Sequence, residues 1–260
     1  MRTEPEMLDL ILQTAKSLKV NAVALSGSRT NDQVQKDEFQ DYDVVYVVDD
    51  LDNLTSDLAW LDSFGTRMIE QHNVLGNRID LTLCPKEHIQ EWVDSEATYT
   101  VLEDKKGLFE SYSQNLERYW TSLATETDFK KSCNEFWWVS AYVVKGICRN
   151  QVIYATDHLY NICQQELLKI LAWQVASERG VVDIGKNNKY LFNYLPAEIE
   201  KDFSNLLDFS SLDKITQSLL ATMALFHHEA QNLAQKMGFD YDKEVAEKMI
   251  KYAEEKLPDH

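Results

Sequence analysis

The chain has 260 residues, 44% hydrophobic and 27% charged, which is a globular composition with room for one large domain or two ordinary ones. Its 43 acidic residues against 26 basic ones give a formal net charge of −17. That field argues against a nucleic-acid polymer as partner and favours small cations.

The polar N-terminus opens a helix. Thr3 and Glu6 make a capping-box pattern with Pro5 in the first turn, and Leu8, Ile11, Leu12, Ala15 and Leu18 share a face. Val20 to Leu25 reads as a short buried strand ending at Ser26-Gly27-Ser28. A polar loop follows to about Gln40, and then Tyr42 to Val48 forms a central strand of β-branched and aromatic residues. Leu54 to Leu61 is a short helix. Arg67 to Gln71 and Arg78 to Cys84 are strands around a turn at Asn73 to Asn77. Pro85 ends the second of these. A helix from Lys86 to Val93 and an edge strand from Tyr99 to Leu102 complete the first half.

After Thr125 the period becomes helical. Helices are expected over Phe129–Arg149, Thr156–Glu178, Leu212–Met237 and Lys243–Lys256, with Gly238 as a C-cap. The expected fold is α+β, with a mixed-sheet domain over residues 1–125 and an all-helical domain over 126–260. The apolar stretch Phe136 to Ile147 is interrupted by Lys145 and is too short to span a bilayer. Cys84, Cys133, Cys148 and Cys163 form no C-x-x-C pair and have no His at zinc-site spacing. A reduced cytoplasmic protein with small buried thiols, off the membrane and monomeric, is the expectation.

The segment that carries chemistry is Gly27-Ser28-Arg29-Thr30-Asn31, a loop, then Asp41-Tyr42-Asp43 and the apolar run to Val48. Strand alternation points Asp41 and Asp43 to one face, with Cα atoms roughly 7 Å apart. Two such carboxylates repel unless a cation lies between them, and Mg²⁺ prefers oxygen ligands while leaving room for phosphate. Gly27 allows close backbone approach, Ser28 offers a hydroxyl and an N–H, and Arg29 adds a fork of donors. A phosphate cradle beside a metal-binding acid pair is the apparatus of phosphoryl or nucleotidyl transfer. Asp80 lies mid-strand on the polar side. If its strand neighbours Tyr42–Val48, it faces the same site, as a third metal ligand or as the general base for an acceptor hydroxyl. A lone Asp-x-Asp commonly does no more than cap a strand; the ordered combination with Gly-Ser and a third acid is the signal.

Gly-Ser, loop, Asp-x-Asp and an apolar strand resemble the nucleotidyltransferase fold of polymerase-β-like enzymes. The wording GSRTN, then FQDYDVVYVV, GNRIDLTL and GKNNKYLFNYLP, is similar to the aminoglycoside 6-adenylyltransferases, also called streptomycin adenylyltransferases. That resemblance implies AMP transfer from ATP to a hydroxyl of a cationic aminoglycoside. It implies a catalytic sheet domain, a helical domain and substrates in the cleft between. By the same match Asp41 and Asp43 are metal ligands, Ser28 and Arg29 meet the triphosphate, and Asp80 is the third carboxylate.

In the helical half, an acceptor rich in amines or guanidinium groups needs carboxylates to pair with and flat surfaces to stack on, which makes Glu135 and Trp138 candidates. Against this, Glu135 also suits a helix N-terminus and Trp138 also suits a core. Lys145 shares a helix face with Arg149, and Lys186 and Lys189 open a helix; all three lysines are candidates for phosphate contact, although each also reads as a solvated or locally paired lysine. Two other readings stand beside adenylylation of streptomycin: the same transfer to a different hydroxyl, and a non-catalytic nucleotide sensor on this fold.

Overall fold

A computed structural model describes residues 3–32, 34–37, 39–51, 67–69 and 79–257, with 67–69 as backbone only. The chain divides into two compact units, Met1–Arg118 and Tyr119–His260.

In the first unit, helix α1 (Glu4–Ser17) starts where the Thr3 N–H donates to Glu6 Oε2 at 2.6 Å, and it buries Met7, Ile11 and Ala15. The strands are β1 (Ala22–Ser26), β2 (Tyr42–Val48), β3 (Arg67–Ile69), β4 (Ile79–Pro85) and β5 (Tyr99–Asp104). They form one five-stranded sheet among the described residues, in the order β3-β4-β2-β1-β5. β2 runs parallel to β4, and every other neighbour is antiparallel. Both faces are covered. Val23, Leu25, Val44, Tyr46, Leu81 and Leu83 pack on α1, and the Tyr46 hydroxyl donates to the Ile11 carbonyl at 2.5 Å. Val45, Val47 and Cys84 on the other face meet Ile89 and Val93 of α2 (Ile89–Ser95). Double coverage explains why β2 is apolar almost throughout instead of alternating.

The expected helix from Lys86 is a 3₁₀ turn, Lys86–His88, followed by α2. The expected edge strand extends to Asp104, whose carboxylate accepts the N–H groups of Lys106, Leu108 and Phe109 and so fixes the following turn. The helix expected at Leu54–Leu61, the turn at Asn73–Asn77, the end of the strand at Gln71 and the strand start at Arg78 lie outside the described residues.

The second unit contains α3 (Glu126–Cys148), α4 (Val152–His158), α5 (Gln164–Arg179), α6 (Ala197–Asn205), α7 (Leu212–Met237) and α8 (Lys243–Lys256). Side chains start three of them: Thr125 Oγ1, Ser211 Oγ and a carboxylate oxygen of Asp242 accept the N–H groups of Asp128, Lys214 and Val245. Gly238 ends α7 in the left-handed region at φ 71°. The core includes a parallel stack of Phe136 on Phe226, with ring centroids 3.6 Å apart. Among the described residues, no helix is long and apolar enough to cross a membrane.

Two expectations are corrected here. Helix α6 lies in a stretch where the sequence suggested no element. The single helix expected over Thr156–Glu178 is α4 and α5 joined by a π turn at Leu159–Cys163. The buried residues Ala155, Leu159, Cys163, Leu167 and Leu171 step by four. In a regular helix such steps drift about 160° around the axis; one extra residue in a wide turn takes back about 100° and keeps them on one stripe. Of the cysteines, Cys84, Cys133 and Cys163 are buried, but Cys148 is exposed because α3 ends there. Burial pushes the Cys84 thiol up to about 11 and the Cys133 thiol up to about 12, so both stay protonated at neutral pH.

Candidate active site

β1 ends at Ser26, directly opposite Asp43 of β2, and Asp43 in turn pairs with Asp80 of β4. The parallel ladder therefore brings two acids that are 37 positions apart in sequence side by side. Asp41 precedes β2 by one residue and shares Asp43's face. All three are half-buried, and one carboxylate oxygen from each lies within 4.8 Å of the others. In a small space three negative groups repel, and a hard divalent cation relieves this. Two oxygens bound to Mg²⁺ at about 2.1 Å lie up to about 4.2 Å apart, so this all-oxygen set fits such an ion after a small contraction. The pairing of β4 with β2 is the condition under which Asp80 was expected to face Asp41 and Asp43.

Beside the acids the chain turns through a 3₁₀ segment, Gly27–Thr30. Gly27 has φ 74°, and a Cβ there would overlap the Asp43 carboxylate oxygen. Glycine is therefore required twice, for backbone conformation and for clearance. The turn is held from both sides. The Thr30 hydroxyl donates to the Gly27 carbonyl at 2.9 Å and lies 2.7 Å from the Thr98 hydroxyl. Across the loop, the Gln40 amide donates to the Ser28 carbonyl at 3.3 Å. Ser28 itself is half-buried at the head of the turn.

Arg29, expected to meet the triphosphate, is also held by the chain itself. Its Nε donates to the Asp41 carbonyl at 2.9 Å and its Nη2 to the Gln40 carbonyl at 2.7 Å. Its guanidinium carbon lies 3.9 Å from the centroid of the Tyr42 ring. It thus ties the Gly27–Thr30 turn to the entrance of β2. Burial pushes the Tyr42 phenol up while the Arg29 charge pulls it the other way. Gln40 and Thr98 were not anticipated as site residues. Both act across loops, and nothing in their sequence spacing announces the pairing.

The remaining candidates lie in the second unit. The Lys145 ammonium sits over the rings of Tyr142 and Tyr154, at 4.4 and 5.7 Å. Lys186 and Lys189 are exposed, with Lys189 4.8 Å from the Tyr190 ring centroid. Trp138 is 63% exposed on α3, and its indole N–H donates to the Tyr142 hydroxyl at 2.9 Å. Glu135 is exposed and lines a pocket with Asp128, Ser132, Glu166, Lys169 and Trp173.

Comparison with known proteins matches this architecture. The family model described as streptomycin adenylyltransferase matches residues 1–256. The chain is 32% identical to the aminoglycoside 6-adenylyltransferase of Bacillus subtilis (strain 168), covering 98% of each. It is 33% identical to that of Campylobacter jejuni, over 93% of this chain and 91% of the relative. It is 32% identical to that of Staphylococcus aureus, over 93% and 94%. A crystal structure of an aminoglycoside 6-adenyltransferase from Bacillus subtilis superposes with a TM-score of 0.51 at 31% identity, covering 98% of both chains. With its sheet, its acid cluster and its match over nearly the whole length, the chain belongs to the streptomycin adenylyltransferase family of nucleotidyltransferases.

Proposed function

We propose that this chain transfers the adenylyl group of ATP to a hydroxyl of an aminoglycoside, with streptomycin as the acceptor and Mg²⁺ at the Asp41–Asp43–Asp80 cluster. The observation that carries the reading is the gathering of those three carboxylates beside the Gly27–Thr30 turn. The names of the relatives support the acceptor class, and the net charge of −17 suits a polycation.

The acceptor oxygen attacks the α-phosphorus in line. The new O–P bond forms as the bond to the β-phosphate oxygen breaks, pyrophosphate leaves and the hydroxyl gives up its proton. A Mg²⁺ held there supplies positive charge that neutralises the phosphate oxygens. Asp41 and Asp43 would hold it, and Asp80, beside them, would complete its oxygen ligands or take the proton that the acceptor hydroxyl gives up. Ser28 offers its hydroxyl and backbone N–H to the departing phosphates, while Arg29 and Gln40 hold that turn against β2. Lys145, Lys186 and Lys189 are further candidates for the triphosphate, and Glu135 and Trp138 for the acceptor. On this reading residues 1–125 are the catalytic domain, 126–260 bind substrate, and the enzyme works in the cytoplasm where ATP is abundant.

The test is pyrophosphate release from purified protein with Mg-ATP and streptomycin, kanamycin, spectinomycin or no acceptor, with Asp43→Asn alongside. Release with streptomycin, reduced about a hundredfold or more in Asp43→Asn, is expected. Full turnover in Asp43→Asn would remove the metal assignment, and release with no acceptor would remove the drug.

A further inference from the structure

α3 and α5 flank an open pocket of ≈ 550 Å³, with Asp128, Lys131, Ser132 and Glu135 on one side and Glu166, Lys169 and Trp173 on the other. That volume lies within the range of small-ligand sites. Its wall is a half-buried tryptophan. Its floor is a carboxylate: Glu166 is buried, at 6% exposure, with Oε2 accepting from the Ser132 hydroxyl at 2.7 Å and Oε1 from Lys169 at 2.6 Å. Burying a charge is costly, and here its partner is a lysine that remains 54% exposed on a flexible stem. Lys169 reaches this buried oxygen from the helix surface on that flexible stem, so an incoming cationic nitrogen can take its place.

The π turn is what aims Glu166 there. His158 packs its ring on Tyr142 of α3, with centroids 5.8 Å apart, while Glu166 reaches Ser132 of the same helix. In a regular helix His158 and Glu166 would point about 80° apart; with one residue inserted they point within about 20° of each other. Such inserted turns recur at functional sites. On the facing helix Asp128, Ser132 and Glu135 fall at spacings of four and three, which puts all three on the stripe that faces the pocket.

We propose that this pocket binds a cationic ring of the acceptor. Glu135 and Glu166 pair with its guanidinium or ammonium groups, and Trp173 stacks on the less polar face of the ring. Planar guanidinium groups fit a carboxylate pair better than they fit water, and a flat indole beside them adds shape selection. The inference rests on the aminoglycoside reading above and extends it to named recognition residues, Glu166 and Trp173.

The experiment is calorimetric titration of the full chain with streptomycin, without nucleotide, followed by pyrophosphate release. Glu135→Gln is isosteric on an exposed helix face, and Trp173→Phe keeps an aromatic ring against the core. Glu254→Gln, on the exposed face of α8, removes the same charge elsewhere. The expected result is a loss of streptomycin affinity of about tenfold to a hundredfold in Glu135→Gln, a smaller loss in Trp173→Phe, and none in Glu254→Gln. The Kd for Mg-ATP should stay the same in all three. Streptomycin affinity that is unchanged in Glu135→Gln and Trp173→Phe, or equally weakened in Glu254→Gln, would overturn the pocket while adenylylation by the wild type left the proposed function standing. A wild type that neither binds streptomycin nor releases pyrophosphate with it would instead remove the acceptor reading on which the pocket rests.

Discussion

At the scale of single residues the site depends on an absence. Gly27 brings the backbone at the end of β1 against the Asp43 carboxylate, at a φ of 74° that side-chain-bearing residues avoid. A Gly27→Ala variant should lose about 1–2 kcal/mol in urea unfolding from backbone strain alone. Its turnover should fall further than that cost implies, because the added methyl displaces one acid of the cluster proposed to hold the cation. Wild-type turnover in Gly27→Ala would show that Asp43 has room to move and need not be held. The sequence made Gly27, Asp41 and Asp43 legible, since their meaning lies in local spacing. Arg29 was only half legible. A guanidinium beside such a turn suggests a phosphate contact, and the spacing did not show that two backbone carbonyls twelve and eleven residues away, and the Tyr42 ring, also hold it. Which acceptor an arginine takes is decided by loop closure, and a linear pattern does not carry that information.

Among the elements, agreement follows the strength of the local signal. α7 and α8 run over the expected residues because Ser211, Asp242 and Gly238 punctuate them chemically. β4 could be read as a strand, but its parallel pairing with β2 is a long-range fact that the sequence left conditional. α6 passed unread because it is short, strongly charged and buries only Phe203. The π turn went unread because the expected helix was drawn with a fixed period. The clue was present in the run of four-residue steps from Ala155 to Leu171. Removing Asn161 from this turn should rotate α5 by about 100° relative to α4 and cost on the order of 3 kcal/mol or more, because one half of the buried stripe must leave the core. Asn161→Ala, at the same exposed position, should change stability by no more than about 0.5 kcal/mol. Urea midpoints of the two variants decide it; a deletion no worse than the substitution would mean that the helix tolerates either phase.

At the scale of the whole molecule, the −17 charge acts at a distance as well as through contacts. A polycationic acceptor should be drawn in by the field and released by salt. Raising KCl from about 50 mM to about 500 mM shortens the screening length roughly threefold, so the acceptor KM should rise several-fold. An acceptor KM that does not respond to salt would confine recognition to short-range contacts. The surplus of acid was readable from composition, and it acquires a direction only once Glu135 and Glu166 are seen to share one pocket.

The π turn also has a historical meaning. It amounts to a single extra codon in an otherwise regular helix. Losing that codon would turn α5 by about 100° against α4, so only compensating changes all along α5 should make the loss tolerable. Its presence or absence among relatives should therefore mark a branch point more durably than any single substitution in the pocket it borders.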